Sequence, residues 1–191
     1  MTKPTFSPAD CHAKVKAAYD LVPPEQIAAF LFTDGSGHAD GFAGSGLRLM
    51  IPGKPAIVAC AAETHSSTER GEFVGLLRGL AIFTDQLGWT KRQIEDARYT
   101  GKLHICWVTD RESLALAVAR DPTKQDLPYY SRRSTPDLWA SFEYFEQFLH
   151  VHALFTKRCS NFSMDQADMM ASDSRQTLKN FYLSHFNEDK I

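Results

Sequence analysis

Two apolar runs in this chain end on the same pair of residues: Leu31-Phe32-Thr33-Asp34 and Trp107-Val108-Thr109-Asp110. Each run reads as a buried strand. A carboxylate at the C-terminal end of a strand lies at the sheet rim, where α/β folds usually bind ligands. One such Asp is commonly a helix N-cap. Two on adjacent strands bring like charges together, which is costly unless a cation is present. The pair therefore points to an open sheet with a charged rim.

The rest of the chain supplies the sheet and its cover. Residues 1–26 read as a helical extension, opened by Pro8-Ala9-Asp10 and closed by Pro23-Pro24. The apolar run Ile27–Thr33 leads into Asp34-Gly35-Ser36-Gly37, which reads as a tight turn. Residues Phe42–Ile51 and Pro55–Ala62 flank Pro52-Gly53-Lys54, a hairpin signal. A helix is expected from Ser66–Glu69, which have capping-box spacing, and its apolar period runs from Phe73 to Leu87. A polar stretch, Gly88–Lys102, precedes the strand Leu103–Thr109. Then follow a helix over Glu112–Arg120, an irregular segment Asp121–Pro136, a helix over Asp137–Phe148, a strand over His150–Thr156 and a long helix over Met164–Phe186. The order β-β-β-α-β-α-α-β-α is an α/β domain with a five-stranded mixed sheet flanked by helices. Its expected limits are 27–175, with 176–191 as a C-terminal helical extension.

Composition narrows the function classes. Lys and Arg number 21 against 23 Asp and Glu, for a net charge of −2. That argues against binding nucleic acid by bulk positive charge and leaves a local basic surface open. No apolar run approaches a membrane span, and the N-terminus lacks the apolar core of a signal peptide. Cys11, Cys60, Cys106 and Cys159 are dispersed without a CxxC. They read as buried thiols in a reducing, cytoplasmic compartment.

Two more acidic positions join the rim pair: Glu72 early in its helix, and Asp168, one turn after Asp165, on the final helix. Taken singly, each reads as a solvated helix residue. Together, Thr33-Asp34-Gly35-Ser36, Glu69-Arg70-Gly71-Glu72, Thr109-Asp110 and Asp165-Gln166-Ala167-Asp168 resemble the four signatures of type 1 ribonuclease H, in order and in the element carrying each. Asp137-Leu138-Trp139 resembles the Asp-Leu-Trp of that family's penultimate helix. The resemblance covers about residues 27–175. It implies a ribonuclease H-like fold and a metal-dependent endonuclease that hydrolyses the RNA strand of RNA–DNA hybrids.

The resemblance also implies the site. Asp34, Glu72, Asp110 and Asp168 would hold two Mg²⁺ ions, or Mn²⁺, both of which suit oxygen ligands. Asp34 would bridge the ions, Asp168 would serve the water-activating side, and Glu72 and Asp110 the leaving-group side. Gly35 and Ser36 would lie against the nucleic acid.

Several positions depart from the family pattern. Arg158 stands where a loop histidine is usual; it is cationic at all relevant pH and cannot shuttle protons as imidazole does. It reads equally as a surface Arg beside Lys157. His150 and His152 fall within the strand and do not fill that place. Thr68 and Glu69 replace the usual strand-reading asparagines, and Glu112 the usual glutamine. Ionised Glu only accepts hydrogen bonds and repels phosphate. Tyr129, Arg132 and Arg133 lie where the family grips the DNA strand, and they suit stacking and phosphate contact or, alternatively, a solvated loop. The apolar end of the last helix, Leu178 to Phe186, packs on the N-terminal helix or serves a homo-oligomer. Trp107 and Trp139 read as core.

Three functions follow as expectations. The first is a ribonuclease H. The second is a nuclease of the same fold acting on a branched or single-stranded nucleic acid, motivated by Glu69 and Glu112. The third is a catalytically silent binding or assembly module, against which four retained acids argue.

Overall fold

The computed structural model describes residues 26–119, 135–157 and 162–186. Almost all of the expected 1–26 extension, and Tyr129, Arg132, Arg133 and Arg158, lie outside these residues. The strands are β1 (Ile27–Gly37), β2 (Phe42–Met50), β3 (Ile57–Thr64), β4 (Leu103–Thr109) and β5 (Leu149–Phe155). The helices are α1 (Thr68–Leu87), α2 (Lys91–Thr100), α3 (Glu112–Val118), α4 (Pro136–Glu146) and α5 (Phe162–Phe186). The five strands form one sheet in the order β3-β2-β1-β4-β5. β1 pairs antiparallel with β2 and parallel with β4; β2–β3 is antiparallel and β4–β5 parallel.

Side-chain alternation divides the sheet into two apolar faces. On one, Leu31, Leu49, Ile105 and Trp107 pack with Phe73, Leu76, Leu80 and Phe83 of α1 and with Leu138, Trp139 and Phe142 of α4. On the other, Phe30, Phe32, Cys106, Val108 and Leu154 pack with Met164 of α5. Trp107 and Trp139 are core residues, as their sequence setting predicts. Trp107 also donates its indole N–H to Thr33 Oγ1 at 2.8 Å, which ties β4 to β1 under the rim.

The structure departs from the expected elements in four places. The polar stretch contains a helix, α2, closed at its start by a capping box between Thr90 and Gln93. Ile94 and Ala97 give it apolar contact with the core, too few residues for a helical period to be legible. The cap of α1 is Ser67, whose hydroxyl accepts from Arg70 N–H at 3.2 Å, whereas Ser66 donates to Glu63. β1 runs through Gly37, so Asp34-Gly35-Ser36-Gly37 is strand and not turn. Those four residues pair with Gly46, Ser45, Gly44 and Ala43 of β2. Cys60 is exposed on the edge strand β3, while Cys106 is buried as expected.

Candidate metal centre at the β1/β4 rim

The parallel register sets the rim pair. Phe32 is level with Val108, and Asp34 and Asp110 each stand two residues further on. The two-residue strand period therefore turns both carboxylates to the face that α5 covers. Glu72 arrives from α1. A Cβ on Gly35 would lie 2.5 Å from both Glu72 N and Thr68 O, so only glycine there lets the helix backbone seat directly against β1. The Gly35 N–H donates to the Glu72 carboxylate, and Thr109 Oγ1 donates to Glu72 Oε2 at 3.2 Å. An oxygen from each of Asp34, Glu72 and Asp110 lies within 4.8 Å of the others.

Asp168 comes from α5, one turn beyond Met164. Its approach depends on Gly46, where a Cβ would lie 2.0 Å from Ala167 O. Asp168 interacts with Asp34 by charge and by a hydrogen bond between their carboxyl groups, and stands outside the tight set of three.

Electrostatics show what this arrangement costs. Asp34 is 3% exposed and Glu72 1% exposed. Burial, then the charge of Asp110, pushes the Asp34 carboxyl up to about 7. Burial and the charges of Asp34 and Asp110 hold Glu72 well above the usual carboxylate range. Asp34 Oδ2 is buried with no hydrogen-bond partner. A set of carboxylate oxygens with one orphaned buried acceptor fits hard divalent cations, which take oxygen ligands and remove the like-charge penalty.

The other sequence-predicted positions surround this centre. Gly35 is buried beneath α1, where its missing side chain lets the helix approach. Ser36 Oγ accepts from Arg175 Nε of α5 at 3.1 Å. Thr68 is the first residue of α1 and sits against Gly37. Glu112 is exposed in the first turn of α3. Glu69 is paired with Arg111 Nη2 at 3.0 Å. Sequence reasoning missed Arg111, although it directly follows Asp110. Its guanidinium offsets Glu69, and its Nε is buried without a partner. Asp137 of the Asp-Leu-Trp segment accepts two hydrogen bonds from Arg70, at 3.1 and 2.7 Å, and so clamps α4 to α1.

No protein-family model and no curated protein matches this chain. Solved structures do. The N-terminal RNase H domain of Rv2228c from Mycobacterium tuberculosis matches at TM-score 0.58 and 16% identity, over 81% of this chain and 98% of that one. LC11-RNase H1, solved in complex with an RNA/DNA hybrid, matches at TM-score 0.58 and 14% identity, over 79% and 99%. RNase H1 from the halophilic archaeon Halobacterium salinarum matches at TM-score 0.55 and 15% identity, over 78% and 98%. The sheet order and the helices on its two faces are those of one architecture: this chain has the ribonuclease H fold.

Proposed function

We propose that this protein is a metal-dependent endonuclease that hydrolyses the RNA strand of RNA–DNA hybrids. The observation that carries the reading is the Asp34–Glu72–Asp110 group at the β1/β4 rim, with Asp34 and Glu72 buried, Asp168 beside Asp34 and Asp34 Oδ2 unpartnered. Asp34, Glu72, Asp110 and Asp168 would hold the metal. When bound, a pair of Mg²⁺ or Mn²⁺ ions supplies an activated water and neutralises charge on the leaving oxygen. The chain's own part is to hold the carboxylates in place before substrate arrives. Thr109 and the Gly35 amide orient Glu72, and the Trp107–Thr33 bond fixes the strands beneath Asp34 and Asp110. Arg111 offsets the charge of Glu69, so that carboxylate repels phosphate less than its sequence position alone suggests. Tyr129, Arg132 and Arg133 are proposed to grip the nucleic acid, and Arg158 to contact phosphate.

Exposed Glu112 favours a second reading, a nuclease of this fold acting on a branched or single-stranded nucleic acid. One panel separates the two. End-labelled RNA–DNA hybrid, duplex DNA, duplex RNA, single strands and a branched DNA are incubated with Mg²⁺ or Mn²⁺, beside Asp34→Asn. Cleavage confined to the RNA of the hybrid and lost in the variant is the expected result. Cleavage of another substrate supports the second reading, and full activity in Asp34→Asn removes the two-metal scheme.

A further inference from the structure

A second group of metal-ligating side chains stands on the same sheet, away from the rim. His104 of β4 lies level with His150 of β5, and His152 follows two residues later. The strand period turns all three to one face, the face of Cys106, Val108 and Leu154. Asp110 is six residues beyond His104, or roughly 20 Å along the strand direction. α5 packs mainly on β1, β2 and β3, and α3 packs on β5 and β4. His150 is exposed, and His104 and His152 are half-buried.

The three rings lie nearly parallel and close together. Centroids are 4.4 Å apart for His150–His152, 5.0 Å for His104–His152 and 5.4 Å for His104–His150, with interplanar angles of 4°, 15° and 19°. His104 Nδ1 and His152 Nε2 are 2.7 Å apart, within hydrogen-bond distance. A ring nitrogen from each of the three lies within 4.8 Å of the others. Burial and the neighbouring imidazoles lower the pKa of His150 and bring His152 down to about 4, so both are neutral at physiological pH and keep a lone pair.

We propose that His104, His150 and His152 bind one divalent transition-metal ion of the zinc class. The site is separate from the carboxylate rim. Imidazole nitrogens suit Zn²⁺, Ni²⁺, Cu²⁺ and Co²⁺, whereas Mg²⁺ prefers oxygen, so the two sites sort different ions. A tetrahedral ion with Zn–N near 2.0 Å needs its nitrogens about 3.3 Å apart. The 2.7 Å contact must open slightly, and the rings must turn from nearly parallel to convergent about χ2, a soft torsion for His. The donor ring takes its other tautomer, so its N–H moves to the nitrogen that faces away and each ring offers a lone pair to the ion. Three protein ligands and solvent access at His150 leave a fourth position for water. Bound there, the ion would fasten the edge strand β5 to β4.

The test uses the full chain without a histidine tag, in excess Mg²⁺, titrated with Co²⁺ and followed by visible absorption. Zn²⁺ uptake and thermal midpoint are measured in parallel. The wild type and Asp34→Asn are expected to take up one equivalent and to gain thermal midpoint with Zn²⁺. His150→Gln and His152→Gln, with far-UV circular dichroism unchanged, are expected to lose at least tenfold in affinity and to lose the gain. His150 is exposed, so its replacement spares the core. No Co²⁺ spectrum in the wild type, uptake unaffected by both His variants, or uptake abolished by Asp34→Asn would each overturn the proposal.

Discussion

Asp34 carries the largest penalty whose size is defined at the residue scale. Its carboxyl titrates near 3.8 when unperturbed and near 7 in the fold. Between those values the folded protein binds more protons than the unfolded chain, so stability falls as pH rises. The contribution is fully present below about pH 4 and lost as pH passes 7. At about 1.4 kcal/mol per pH unit, that loss is on the order of a few kcal/mol, shared with the coupled Glu72. In metal-free protein, Asp34→Asn is therefore expected to raise the urea midpoint at pH 8 and leave it nearly unchanged at pH 4. Equal midpoints at both pH values would mean that the rim carries no such strain. Asp34 and Asp110 were legible because each closes an apolar run with the same Thr-Asp. Arg111 was not, because its role depends on Glu69, which lies far away in sequence and beside it only in the fold.

Among the elements, α1 is the one whose placement the site needs most. Glu72 reaches Asp34 because helix backbone touches strand backbone at Gly35. Gly35→Ala puts a methyl 2.5 Å from Glu72 N and Thr68 O, and backbone cannot yield as a flexible side chain does. The cost expected is about 1–3 kcal/mol or more, read as a lower urea midpoint. Metal-dependent cleavage is expected to fall further than this loss of stability explains, because Glu72 moves with the helix. A fully active variant of unchanged stability would show that α1 is not wedged there. The strands and α1 were legible because their apolar periods are strong. α2 was not, because a polar helix held by a capping box and two inward residues carries almost no period.

For the molecule as a whole, the sheet order determines where stability resides. β1 and β4 are central and covered on both faces, whereas β3 is an edge strand of half-exposed residues. Native-state hydrogen exchange is expected to be slowest at Leu31, Phe32, Trp107 and Val108, with β3 opening well below the global unfolding free energy. Uniform protection across the sheet would contradict that gradient. Among the described residues, no helix is long and apolar enough to cross a membrane.

The sequence by itself determined the strands, the main helices, the two-faced core and the pair of carboxylates that close the apolar runs of β1 and β4. Each of these follows from local period and from where an apolar run stops. The tertiary structure alone decided that Glu72 closes against Asp34 through a glycine contact. It alone paired Arg111 with Glu69 and set His104 beside His150 and His152. Those are matters of register and helix approach between distant segments, and a side-chain pattern within one segment carries no record of what lies across from it.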